Sequence, residues 1–444
     1  MRSKNTVRLN KHDLLMLALE DVITAQTQLL AFRFKEKHSA EEIRQAMRYM
    51  LTIYPKLRSV VEPTLFSYRI RIFDDNDRQL EVLFNDAFRV VPNVVYDSEE
   101  FVTFRRNLLN EPFSLEQGLP LKMRYFPDDP QPVLFVSMHH MITDGLGWFH
   151  MEHSLLKYLN GEKPPLVPLD SPNMLPALIK KPYSTLPRQI YNSYKIYRKA
   201  LQETKGEVIV TPSSRPVDFW GPVGMLQRFV SLDLKSLKKA SKALGYSINT
   251  MHLAALTMAS IRGPGRDTGN TVCIVMSVDL RPFFEDKPPV FGNYTGIFTV
   301  RVPKRCWDDP KEIMRVIQEQ MGKGMDSFKN TEIIFPWLID KLFTVIGKKF
   351  YAWGARWVRK KGLVSMTFAF STFSNIDIIN SHGTMAQVSE TMSLVPQYGL
   401  FVTSASLEGR TYIDISYPEA EYTHEEIEAF YNRYEQALGE ILAL

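Results

Sequence analysis

A nearly continuous apolar run, Val133-Leu134-Phe135-Val136-Ser137-Met138, stops at two adjacent histidines, and no other stretch constrains the chain as tightly. A short apolar run of this kind predicts a buried strand. His139-His140-Met141-Ile142-Thr143-Asp144-Gly145 follows, and a helix is predicted from about Leu146 to Leu159. Two imidazoles therefore sit where a strand ends, with a carboxylate a few residues on. Chemistry favours such places, because rigid elements hold the side chains while the loop exposes them.

The chain has 444 residues, more than one domain usually holds, so two lobes are expected. We place an N-terminal lobe at 1–165, a proline-rich crossover at 166–224 and a C-terminal lobe at 225–444. Hydrophobic residues make up 45% and charged residues 23%, enough to bury sizeable cores without covalent staples. The two cysteines, Cys273 and Cys306, form no Cys-x-x-Cys pair, which argues against structural zinc and a disulfide framework. The basic start, Met1-Arg2-Ser3-Lys4, leads into no apolar h-region or cleavage site, so a secreted fate is not expected and a reducing, cytoplasmic setting is. A formal net charge of +5 without a long Lys/Arg block gives nucleic-acid binding little support.

Along the chain, Asp13–Phe34 begins as a helix and becomes a strand. Ser39-Ala40-Glu41-Glu42 is a capping box, with Ile43, Ala46, Met47, Met50 and Leu51 following at helical spacing. That helix should stop at Tyr54-Pro55. Strands are predicted at Ser67–Phe73, Gln79–Phe84 and Lys122–Phe126, and a helix at Glu99–Leu109. In the crossover, Ile190–Leu201 is helical with Tyr191, Tyr194 and Tyr197 three apart. It is either a packed amphipathic helix or a surface facing membrane or substrate. The second lobe opens with helices at Asp233–Leu244, stopped by Gly245, and at Ser247–Ile261. Strands at Thr271–Val278 and up to Val302, a helix at Pro310–Met325 and a strand at Leu363–Phe373 follow. Short strands fill Met385–Tyr417. Thr423-His424-Glu425-Glu426 then caps a terminal helix. Ile333–Lys361 is rich in Trp, Phe, Tyr, Arg and Lys but has no apolar run long enough to span a bilayer. It either lies on a membrane, or packs on the second lobe or lines a tunnel.

Histidine is the natural general base near neutral pH. It must be held in one tautomer and aimed. Asp144 can fix the loop or orient a ring, and Gly145 can let the backbone turn sharply. Neighbouring histidines on a strand point to opposite faces, so they rarely ligate one ion, and no metal site is expected. The chain has no Gly-x-Ser-x-Gly elbow, so nothing in it suggests a covalent serine intermediate.

The stretch Ser137–Gly145 resembles the His-His-x-x-x-Asp-Gly signature of the condensation-domain and chloramphenicol-acetyltransferase-like superfamily, and above all its stand-alone alcohol O-acetyltransferases and polyketide-associated acyltransferases. Tyr54-Pro55-Lys56-Leu57-Arg58 is similar to an early His-Pro-x-Leu-Arg segment, with Tyr for His. Pro112-Phe113-Ser114-Leu115 with Leu119-Pro120-Leu121 is similar to a Pro-Phe-Asp-Leu…Pro-Leu segment, with Ser for Asp. Asp279-Leu280-Arg281-Pro282, Gly292-Asn293-Tyr294 and Ser374-Asn375 fall in family order, so the resemblance spans nearly the whole chain.

The resemblance implies an α/β fold of two chloramphenicol acetyltransferase-like lobes in a V with a central tunnel. It implies an acyltransferase that moves an acyl group from an acyl-CoA or a phosphopantetheine carrier thioester to an alcohol or amine. His140 is the implied base, Asp144 a clamp to Arg281 across the lobes, and His139 a support. Asn293 is implied to hold the tunnel or the developing oxyanion, and Asn375 to support the site. No tightly bound cofactor is implied. An acyl carrier protein is one implied donor, peripheral membrane contact through 333–361 is a further expectation, and a monomer is expected. The chain lacks the adjoining adenylation and carrier domains of peptide synthetases, which favours a free-standing transferase. Two alternatives stay open: a non-catalytic binding or docking module of the same fold, and a glycerolipid acyltransferase of His-x-x-x-x-Asp type.

Overall fold

The computed structural model describes residues 6–20, 22, 25–64, 67–170, 175–213, 221–346, 348–360, 366–393 and 399–444. The first half carries β1 (Thr6–Arg8), α1 (Lys11–Glu20), β2 (Thr27–Phe34), α2 (Ala40–Ile53), β3 (Ser59–Pro63), β4 (Tyr68–Ile72) and α3 (Arg78–Ala87). It continues with β5 (Phe88–Val90), α4 (Glu99–Asn110), β6 (Leu121–Phe126), β7 (Val133–His139) and α5 (Gly145–Leu159). Helices α6 (Leu175–Leu178) and α7 (Leu186–Glu203) lie in the crossover.

The second half holds β8 (Val223–Asp233), α8 (Leu234–Leu244), α9 (Ile248–Ile261), β9 (Thr271–Asp279), β10 (Thr295–Pro303) and α10 (Pro310–Lys329). Helices α11 (Ile334–Ile346) and α12 (Lys348–Lys360) come next, then β11 (Phe368–Asn375), β12 (Met385–Met392), β13 (Phe401–Leu407), β14 (Arg410–Pro418) and α13 (His424–Leu442).

Two larger sheets organise these elements. One has the order β12-β2-β7-β6-β5, the other β10-β9-β11-β13-β14-β8, and β1-β4-β3 forms a small third sheet. Strand β12 belongs to the second half of the sequence but pairs antiparallel with β2, Met392 opposite Gln28 and Val388 opposite Phe32. The first sheet therefore takes one strand from beyond residue 225, and the two halves interlock.

Alternation along β7 explains why its sequence is apolar throughout. Leu134, Val136 and Met138 join the first core with Met47, Met50 and Trp148 of the α2 and α5 layer. Val133 and Phe135 face the other way, into a seam with Val275, Ala369 and Phe401 of the second sheet. A strand buried on both faces needs no polar side. Helix α9 is the counterpart in the second half. Thr250 to Ile261 are all buried, with α10 and α13 packed against them.

Local rules account for most helix ends. Ser39 and Glu42 form the reciprocal capping box on α2, Thr423 and Glu426 do so on α13, and Gly245 ends α8 in the left-handed region at φ 75°. One expectation fails. Gln79–Phe84, predicted as a strand, lies in helix α3. Asp77 caps it by accepting from the Gln79 N–H, and Leu80, Phe84 and Ala87 share its buried face. The predicted strand from Leu363 begins outside the described residues; β11 starts at Phe368.

Candidate functional site

Strand β7 ends at His139, and its neighbour His140 starts the turn into α5. The His140 backbone N–H donates to Gln26 O at 2.8 Å, and its carbonyl accepts from Asn293 Nδ2 at 2.8 Å. The loop is thus held from β2's side and from the second half at once. The ring is enclosed on most sides yet keeps part of its surface open. Its Nδ1 is sealed and meets no hydrogen-bond partner. Burial pushes the His140 pKa below its ordinary value, with the Asp144 charge pulling the other way. Burial therefore favours the neutral ring.

His139 faces the opposite way and is fully buried. The Met141 N–H donates to its Nδ1 at 3.1 Å, which places the ring proton on Nε2, 3.6 Å from Glu20 Oε2. Phe113 packs edge-on against the ring, and Pro120 O accepts from the His139 N–H. Phe113 and Pro120 belong to the Pro112–Leu115 and Leu119–Leu121 stretches noted in the sequence, here brought around one imidazole.

Asp144 caps α5, accepting from Gly147 N at 3.0 Å. Its carboxylate also accepts from the Tyr294 N–H at 2.7 Å and from both terminal nitrogens of Arg281, at 2.9 and 3.0 Å. Arg281 in turn donates to Asp279, Val290 O and Gly292 O, and lies over the Tyr294 ring at 4.6 Å. This bidentate pair crosses between the halves at the base of the histidine loop. It is largely buried, with side-chain exposures of 12% for Arg281 and 4% for Asp144, and every carboxylate lone pair is engaged, the condition for such a pair to hold firm.

Gly145 opens α5 without a left-handed backbone, so the sharp-turn role does not apply to it. Gly147, two residues on, sits where the backbones approach closely. A Cβ there would stand 1.9 Å from Thr143 Oγ1 and 3.1 Å from Val290 O. Thr143 Oγ1 is itself fixed, accepting from Gly292 N at 3.1 Å.

Asn293 is fully committed. Both its N–H bonds are used, one to His140 O and one to Asp13 Oδ1 at 2.7 Å. It holds the loop but has no donor left for an oxyanion, which corrects that part of the expectation. Asn375 caps the turn after β11 through the Asp377 N–H, and none of its described hydrogen bonds reaches the histidines. The side chain of Ser374 lies outside the described residues.

Several residues here escape sequence reading. His12 on α1 lies near enough to His140 for each charge to disfavour the other; burial first, then Lys11, push its pKa down to about 3. Asp13 and Asp170 share Lys56 Nζ, at 3.1 and 3.0 Å, all three buried. Asn10 closes the group on Asn293 O and Asp170. A chain of bonds thus runs Lys56–Asp13–Asn293–His140. Burial raises Asp13 to about 6 in spite of Lys56. The spacing Asn10-x-x-Asp13, a reciprocal cap at the start of α1, was the available signal. Tyr54, where the resemblance has histidine, bonds His150 Nδ1 and Ser154 Oγ, both at 2.7 Å.

Farther along α5 a small enclosed cavity is lined by Phe149, Glu152, Ile376, Glu390, Tyr412 and Asp414. Its open volume of about 10 Å³ suits a single water. Among the described residues no cluster of His, Cys, Asp and Glu has metal-binding geometry.

No family model matches the chain. Solved structures do resemble it from end to end. The first condensation domain of the calcium-dependent antibiotic synthetase, with a substrate analogue, superposes with TM-score 0.74 at 12% identity, covering 100% of this chain and 97% of that one. The TRI3 trichothecene 15-O-acetyltransferase of Fusarium sporotrichioides gives 0.70 at 12%, covering 98% and 94%. The starter condensation domain of rhizomide synthetase, a mutant in complex with C8-CoA and Leu-SNAC, gives 0.66 at 14%, covering 99% and 95%. The chain therefore has the two-lobed α/β fold of condensation domains and chloramphenicol-acetyltransferase-like acetyltransferases.

Proposed function

We propose that this chain is an acyltransferase that moves an acyl group from a thioester, acyl-CoA or carrier-bound, to a hydroxyl or amine, with His140 as general base. The observation that carries the reading is His140 itself: a partly open imidazole at the junction of the two halves, its backbone clamped by Asn293 and its neutral form favoured by burial. The similarity of fold to an O-acetyltransferase and to a domain bound to C8-CoA supports it.

In this reading the acceptor's O–H or N–H gives its proton to His140 as the heteroatom attacks the thioester carbonyl. The tetrahedral adduct collapses, the C–S bond breaks, and the imidazolium returns the proton to the departing thiolate. The base starts and ends neutral, which burial favours. Asp144 and Arg281 hold the loop instead of taking the proton. His139, with its proton on Nε2, buttresses the loop from the other face. Nothing in the sequence requires a covalent enzyme intermediate.

His140→Gln should lower turnover of a validated substrate pair about 10²–10⁴-fold while leaving thermal unfolding near that of the parent. Unchanged turnover would refute the assignment.

A further inference from the structure

Helix α11 packs against both α7 and α12, and α11 and α12 rest on α1, the helix that carries His12. Among the described side chains of α12 the buried one is small, Ala352 at 3% exposure, while Trp353 and Trp357 are 58% and 47% exposed. Lys349, Phe350, Trp353, Arg356 and Trp357 are all exposed and recur three and four apart, so they share one face. The helix thus turns Phe350 and both tryptophans outward. In α7 only Ser193 is buried, held by Glu332 O and by the Phe335 N–H. Tyr191, Ile196 and Leu201 are exposed on it. Leu342 of α11 is 59% exposed.

Charge selects the partner. Helices α7 and α12 together hold nine Lys and Arg against one Glu, Glu203, in a chain whose formal net charge is only +5. An exposed row of Trp, Phe and Tyr among cations suits the interface of a bilayer, where aromatic rings settle at headgroup depth and cations meet anionic lipid. An acidic carrier protein would match the cations but gives no use for the outward tryptophans. Among the described residues no helix is long and apolar enough to cross a membrane, so the contact would be peripheral.

We propose that the aromatic, cationic face of α12 docks the protein on an anionic lipid surface, with the Lys- and Arg-rich α7 adding to the attraction. The proposal stands apart from the acyl-transfer reading, because binding to vesicles is measured without any reaction. Through α1, it would place the His140 site one helix from the lipid.

The test is flotation of the full chain with phosphatidylcholine vesicles that do or do not contain phosphatidylglycerol. The protein should float with the anionic vesicles only, be released by high salt, and show a blue shift of tryptophan emission on binding. The double variants W353S/W357S and K349E/R356E, checked for parental melting, should each reduce the bound fraction about tenfold or more. Failure to float with anionic vesicles, equal binding to neutral ones, or full binding by both folded variants would overturn the proposal. So would binding of an acidic carrier protein to this face with no vesicle binding.

Discussion

Glu152 is 2% exposed, and no cation contributes to its surroundings. Burial pushes its pKa up from 4.5 to about 8, and Asp414 across the same small cavity up to about 7. An acid whose folded pKa is raised binds its proton more tightly in the native state. Its contribution is complete below the unfolded value and is lost as pH rises through the folded one. For Glu152 that window runs from about 4.5 to about 8. Glu152→Gln should therefore melt close to the parent near about pH 5 and above it near about pH 9, with the gap growing between them. A variant equally destabilised at both would show that the carboxylate is held by structure that the window ignores.

The same scale shows what a sequence can disclose. His140, Asp144 and Arg281 were legible because each sits in a short segment whose pattern carries meaning alone. His12, Asp13 and Lys56 were not. Lys56 and Asp170 are 114 residues apart, and only the packed fold shows that they share a bond. Asn293 was legible as a position but not as a role, because its two donors are spoken for only once Asp13 and His140 O are in place.

At the scale of elements, the joint between the α5 N-terminus and the segment 279–294 does the holding. The Asp144–Arg281 pair, the Tyr294 N–H and the Thr143–Gly292 contact all meet there. Removing one partner of a buried pair strands the other charge. Arg281→Ala should cost about 3–5 kcal/mol in urea unfolding and lower activity with it. Unaltered stability would mean that the pair is dispensable and that solvent reaches Asp144 freely. Helix ends were legible wherever a cap was local, as at Ser39, Gly245 and Thr423. Helix α3 was misread because Leu80 and Phe84 fit a short strand as well as one helix face, and only the Asp77 cap decides between them.

Over the whole molecule, the pairing of β12 with β2 and the apolar seam of Phe135, Val275, Ala369 and Phe401 make the two halves one structure. That interlock could not be read from the sequence, since any of the short strands after Met385 could have joined either sheet. The consequence is functional: the histidine loop is clamped by residues from both halves, so its geometry depends on their relative placement. The central claim concerns chemistry at that loop, and mass spectrometry tests it most directly. A panel of acyl-CoA and pantetheine thioesters would be offered with alcohol and amine acceptors, and both free thiol and acylated acceptor followed. We predict an ester or amide product formed in step with thiol release and lost in His140→Gln. Thiol release without an acylated acceptor across the panel, or product formed equally by the variant, would contradict the account.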